Sequence, residues 1–121
     1  MTTTAREIGA AMFKVSDAMD VDGWVDYQAE DVRFRFGNAE PINGREAVRE
    51  AIKQFFGMIK GIRHTIIQDW EIEDRVIQQL EVTYTRLDSK EVTVPATNIL
   101  RFRDGQITEY LIYVDQAPLW A

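Results

Sequence analysis

Near residue 61 the hydrophobic pattern of this chain changes period. Before it, large apolar side chains recur every three or four residues; after it they alternate. The alternating part divides into "RHTIIQDWEIED", "RVIQQLEVTYTRL", "EVTVPATNILRF" and "QITEYLIYVD", joined by "EDR", "DSK" and "RDG". Connections this short force each strand to lie antiparallel beside the one before it. Asp104-Gly105 is a strong hairpin signal in its own right.

The upstream part reads as helices with one early strand. Thr4 followed by Glu7 is a capping box, and Ile8, Met12, Val15 and Met19 form one apolar stripe, which predicts a helix over 4–19. Asp20 or Asp22 is placed to cap a short second helix, with Trp24 and Tyr27 on one face. In "DVRFRF", Val32, Phe34 and Phe36 oppose Arg33 and Arg35, as in a half-buried strand. "GNAEPING" is turn material. Asn43 is expected to cap a third helix, with Glu46 in its first turn, a stripe of Val48, Ile52, Phe55 and Ile59, and Gly61 as its stop. The order predicts an α+β fold in which three N-terminal helices pack on one face of a curved antiparallel sheet. With 121 residues and no repeat, linker or low-complexity segment, the chain reads as one domain, 1–121.

Composition narrows the function classes. The formal charge is −6, from 14 basic and 20 acidic residues. Such a chain repels phosphate backbones and anionic membrane surfaces, so neither nucleic acid nor membrane is expected as a partner. No apolar run approaches the ~20 residues of a membrane span, and the N-terminus lacks a signal-peptide pattern. The absence of cysteine excludes disulfides and thiolate chemistry and suits a cytoplasmic location. Three tryptophans, four tyrosines and six phenylalanines supply either a dense core or an aromatic-lined cavity.

Few side chains qualify for chemistry. There is no serine-hydrolase, dinucleotide or phosphate-loop motif. The one histidine, His64, cannot build a three-histidine metal site, and the carboxylates show no metal-ligand spacing, so no metal is expected. His64 shares strand parity with Ile66 and Trp70, both core candidates. A lone histidine of this kind is more often structural than catalytic. Asp115 ends the last strand, either in water or in an apolar pocket where desolvation would suit it to acid or base work. Asn98 falls on the apolar face formed by Val94, Ala96, Leu100 and Phe102. A buried amide there needs either a core partner or a ligand. Tyr84 shares a face with Leu80 and Val82, and its hydroxyl needs a partner in the same way. The last strand is apolar on both faces, which suits helices on one side and a second subunit on the other; Ile67, Ile112 and Val114 could form an outer patch.

Taken together, "AMDVDGWVDYQAEDVRFRFGNAEPINGREAVREAIKQFF", "GIRHTIIQDW", "EVTYTR", "VTVPATNILRFRDGQITEYLIYVD" and the tail "QAPLW" resemble the SnoaL-like branch of the nuclear transport factor 2-like superfamily. That resemblance implies a cone, in which a curved sheet wraps a helix and leaves a pocket at the wide end, and it implies a homodimer. The superfamily includes ketosteroid isomerase, scytalone dehydratase, limonene epoxide hydrolase and polyketide cyclases, as well as non-catalytic binding and transport proteins, so the fold does not settle the function. By position, His64 matches a pocket-facing histidine and Asp115 an acid or base near the end of the last strand. Trp24 and Tyr27 match pocket-lining aromatics. The Asp-Arg-Asp set of limonene epoxide hydrolase has no full counterpart.

The expectation is therefore a small enzyme that isomerises, cyclises or dehydrates an apolar, ring-containing or polyketide-like molecule. Asp115 and His64 would be catalytic, Tyr84 and Asn98 would bind the substrate, and Trp24, Tyr27, Phe34 and Phe55 would line the cavity. Proton transfer requires only positioned acids, bases and dipoles, so no cofactor is expected. The alternatives are a non-catalytic pocket for a small ligand, a dimerisation module, or a protein-binding role.

Overall fold

The computed structural model describes residues 3–121. Helix α1 (Ala5–Asp17) starts at the expected capping box: the Thr4 hydroxyl accepts from the Glu7 N–H, and the Glu7 carboxylate accepts from Thr4. Helix α2 (Val21–Val25) is capped by Asp20, whose carboxylate accepts from the Gly23 N–H at 3.0 Å. Strands β1 (Gln28–Phe36) and β2 (Ile42–Asn43) precede helix α3 (Arg45–Phe56). Strands β3 (Ile59–Ile72), β4 (Arg75–Arg86), β5 (Glu91–Arg103) and β6 (Gln106–Val114) form the expected meander, and a short helix α4 (Ala117–Trp120) follows.

The six strands form one curved, unclosed sheet in the order β2-β1-β6-β5-β4-β3. The meander is antiparallel throughout. The early strand β1 lies parallel to β6, which makes the sheet mixed at that edge. This arrangement is α+β, with α1 packed on β3 and β4, α3 on β1, β2 and β3, and α2 between the two helices. At the β5–β6 turn Asp104 and Gly105 have φ of +53° and +78°, the positive pair that a tight hairpin needs.

Three local expectations change. Residues read as turn material include β2, where Ile42 and Asn43 pair with Phe34 and Arg33. Asn43 therefore lies in a strand, and Gly44 occupies the cap position of α3 with no side-chain cap. Helix α3 stops at Gly57, not Gly61, and Ile59 opens β3, buried and paired with Arg86. Ile59 fits both a helical stripe and an alternating strand. Twelve residues of β3 pairing along β4 decide for the strand, and Gly57 weakens helix propagation by about 1 kcal/mol.

The third change concerns parity. Strand β3 carries an extra residue twice, at Lys60 and at Ile67, where the register to β4 shifts. A bulge bends its strand and moves every later side chain to the opposite face. His64 and Ile66 point inward, but beyond Ile67 the inward positions are Asp69 and Glu71, opposite buried Gln78 and Val76. Trp70, expected in the core, is therefore outward and 40% exposed.

Candidate active site

On α1 the buried positions are Gly9, Met12, Phe13 and Ser16, a stripe rotated from the one its larger apolar residues suggest. That rotation brings Phe13 and Asp17, one turn apart, against β3. The Phe13 and His64 rings stack at a centroid distance of 4.3 Å and 11°. Asp17 Oδ1 lies 2.6 Å from His64 Nδ1, and both carboxylate oxygens accept from the His64 backbone N–H at 3.2 Å. A carboxylate only accepts hydrogen bonds, so the shared proton belongs to Nδ1. Ring stacking and the hydrogen bond fix the plane and tautomer of His64, and Nε2 is left as the basic nitrogen.

His64 lines a small cavity of about 40 Å3 between α1, α2, α3 and the sheet. Of the residues singled out from the sequence, His64, Trp24, Phe34 and Phe55 line it; Ser16, Phe36, Phe56 and Tyr110 do so as well. Aromatic rings make up most of the wall, with Ile52, Ile62 and Ile112 between them: Trp24 packs on Phe34 at 5.8 Å and on Tyr110 at 5.6 Å, and Phe36 meets Phe55 at 5.4 Å. No arginine or lysine lines the cavity. Burial raises the Tyr110 hydroxyl well above the usual phenol range, so it stays protonated.

The other expected residues sit elsewhere. Asp115 is exposed, and its carboxylate accepts from the Ala117 N–H at 3.0 Å, steering the chain into α4. It does not line the cavity, and the carboxylate beside His64 is Asp17. Strand β6 runs out at Val114, so the next residue leaves the sheet for solvent. Asn98 is buried and donates to Gln78 Oε1 at 3.2 Å; the core-partner reading of this amide describes its surroundings. Tyr84 lies behind the wall, edge-on to Phe55 at 6.0 Å, its hydroxyl raised to about 12 by burial. Tyr27 is half-buried in the turn after α2, where its carbonyl accepts from the Ile107 N–H. Asp17 escaped the sequence reading because its partner is 47 residues away. The available signal was Phe13, which shares its helix side with Asp17.

Outside the cavity, a charged groove follows the outer sheet face, lined by Asp74, Arg101, Arg103 and Glu109. Its arginines are neutralised: Arg101 meets Asp74 at 2.9 Å and Arg103 meets Asp31 at 2.8 Å. Among the described residues no three histidine, aspartate or glutamate side chains group as metal ligands, and no helix is long and apolar enough to cross a membrane.

The family model of the SnoaL-like domain matches residues 10–110. No curated protein matches the chain. Among solved structures, a hypothetical protein with a ketosteroid isomerase-like fold from Catenulispora acidiphila DSM 44928, in complex with trimethylamine, superposes with a TM-score of 0.85 at 20% identity, covering 95% of this chain and 90% of that one. A protein from Jannaschia sp. CCS1, whose name places it with the SnoaL-like polyketide cyclases, gives 0.83 at 15% identity, covering 99% and 94%. An epoxide hydrolase from M. tuberculosis, similar to limonene epoxide hydrolase, gives 0.82 at 16% identity, covering 96% and 86%. At these identities the likeness is one of fold.

Proposed function

This chain belongs to the SnoaL-like domain family, and we propose that it is a small enzyme that moves a proton on a neutral, ring-containing or polyketide-like molecule bound among the aromatic rings. His64 is the acid and base, and Asp17 is the residue that positions it. The observation that carries this reading is the 2.6 Å bond from Asp17 to His64 Nδ1 at the edge of an aromatic cavity. A histidine held by a carboxylate on one nitrogen keeps the other free to accept a proton, and the carboxylate steadies the imidazolium that forms.

The chemistry follows from that geometry. Nε2 removes a proton from the carbon next to a carbonyl, and the electron pair passes to the carbonyl oxygen as an enolate. The Tyr110 hydroxyl, kept protonated by burial, donates to that oxygen. The imidazolium then returns its proton to another carbon, which is isomerisation, or to a departing hydroxide, which is dehydration. In cyclisation it protonates the alkoxide formed when the enolate carbon attacks a second carbonyl. The lack of a lining cation disfavours carboxylate or phosphate ligands, whose desolvation nothing would offset.

A second reading is a non-catalytic ligand pocket, favoured by the small volume of the cavity. Solvent deuterium incorporation separates the two. A panel of cyclic ketones and phenolic polyketide fragments is incubated in D2O and followed by NMR. Exchange at a carbon next to a carbonyl is expected with the native protein and is lost in His64→Ala. Equal exchange in both proteins, or none with any compound, removes the catalytic reading.

A partner is proposed on the outer sheet face. Trp70, Ile77, Ile99 and Leu111 form a continuous cross-strand row there, and Tyr113 is 57% exposed beside it. Of the outer residues anticipated from the sequence, Ile67 is outward, whereas Ile112 lines the cavity and Val114 packs on the core. A second copy of the chain on this row would cover the apolar strip.

A further inference from the structure

We propose that the last turn of α3, with Phe55 and Phe56, is a gate that swings outward to admit the ligand, and that these two rings set the size of what is admitted. The proposal rests on the aromatic cavity being the binding site, as argued above. The cavity holds about 40 Å3. That is room for about three waters, while a benzene ring occupies a cavity on the order of 150 Å3. A ring-sized ligand therefore requires one wall to move.

The walls are not held equally. Phe34, Phe36, Tyr110 and Ile112 stand on β1 and β6, and each of these strands is hydrogen-bonded to a neighbour on both sides. Helix α1 is tied to β3 through Arg6–Asp69 and Asp17–His64. The first half of α3 is tied as well: Arg45 donates to the Gln28 carbonyl, and Arg49 pairs with Asp22. Among the described residues no side-chain hydrogen bond or ion pair ties residues 53–58. Gly57 is exposed, and Met58 is 51% exposed. The end of α3 is held by apolar packing: Phe55 and Phe56 lie against the core, with Phe55 on Phe36 at 5.4 Å and on Tyr84 at 6.0 Å. An incoming ring can replace those contacts one for one, so opening costs little once the ligand is in place. The hinge is the Gly57–Met58 connection into β3, and motions of this kind run on microsecond to millisecond times.

The test is stopped-flow binding of 2-naphthol, a neutral ring probe, read by tryptophan fluorescence. In the native protein the observed association rate is expected to level off with probe concentration, because opening becomes limiting. In Phe55→Ala and Phe56→Ala it should rise linearly and by about tenfold or more, within the ordinary range of association constants. Binding by the variants alone also supports the gate. A native rate that is linear and equal to that of the variants, or no binding by any of the three, overturns it. If the variants fail to fold, amide exchange in the native protein decides: Phe55 and Phe56 should gain protection when 2-naphthol binds, and no change refutes the gate. Proton exchange by the native protein separates this from the catalytic reading. Gated binding of 2-naphthol with no exchange on any ketone keeps the gate and removes the catalysis, and exchange with linear, ungated binding does the reverse, so either proposal can fall without the other.

Discussion

Asp17 grips His64 at two points, accepting from the ring Nδ1 at 2.6 Å and from the backbone N–H of the same residue at 3.2 Å. One carboxylate thus fixes both where the strand passes α1 and how the ring is turned. Asp17→Asn offers an amide whose nitrogen cannot accept and whose oxygen accepts far more weakly. Turnover should fall by roughly 10²–10⁴ with KM changed little, the pattern of a lost positioning carboxylate. The low-field Nδ1 proton of His64 in the NMR spectrum should weaken or disappear. A variant that keeps both the proton signal and the turnover would show that the contact is only structural.

Asp115 provides the contrasting experiment. Its carboxylate is exposed and serves the Ala117 N–H. Asp115→Asn keeps an oxygen able to accept from that N–H, so turnover should stay within about twofold and stability within about 0.5 kcal/mol. Loss of turnover without unfolding would return the catalytic role to this residue.

The legible and illegible parts of the molecule divide by range. The meander could be read because alternation and turn residues are local: Asp104-Gly105 declares its hairpin without help from the rest of the chain. The helix cap at Thr4 could be read for the same reason, and that of α2 could be narrowed to Asp20 or Asp22. Ile59 could not, because it satisfies two periods at once and only its pairing with Arg86 chooses between them. Trp70 could not, because the bulge at Ile67 inverts parity and no residue type announces a bulge there. In the site, the aromatic wall was half visible through Trp24, Phe34 and Phe55. Tyr110 and Asp17 were hidden: one sits on a strand apolar on both faces, and the other is joined to His64 only in three dimensions.

Burial of Tyr84 predicts a weakness at high pH. Its hydroxyl is raised from 10.0 in the reference state to about 12 in the fold. The unfolded chain therefore loses this proton first, and the stabilising contribution is complete below pH 10 and disappears as the pH climbs through 12. Two units correspond to roughly 2–3 kcal/mol. Tyr110 acts in the same direction. Urea titrations between pH 9 and 11 should show stability falling with pH, with a smaller slope in Tyr84→Phe. An unchanged slope in that variant would mean that Tyr84 ionises freely in the folded protein.

The outer face predicts an association state. Trp70 begins the row that continues through Ile77 and Ile99 to Leu111. If this row meets a second copy, the native protein has twice the monomer mass by sedimentation. Trp70→Glu, which places a charge on an exposed position, should then give a folded monomer. A native monomer, or a dimer that survives the substitution, would exclude this row as the interface.

Gly9 lets α1 approach the sheet over the buried amide pair. A Cβ at this position would lie 3.0 Å from Gln78 Nε2 and 3.3 Å from Leu100 Cδ1. The Gln78 side chain cannot easily retreat, because it is fully buried and its Oε1 accepts from Asn98. Gly9→Ala gains about 1 kcal/mol of helix propensity, and overpacking opposes it by about 1–3 kcal/mol. The net effect should be a loss of about 1 kcal/mol and a Tm lower by roughly 5 °C, read by thermal unfolding. The partner test is Asn98→Ala, which leaves the Gln78 amide without its donor and should cost about 1–3 kcal/mol while leaving ligand affinity unchanged. A raised Tm in Gly9→Ala would show that the amide pair can shift. Weaker ligand binding in a stable Asn98→Ala variant would show that Asn98 reaches the cavity after all.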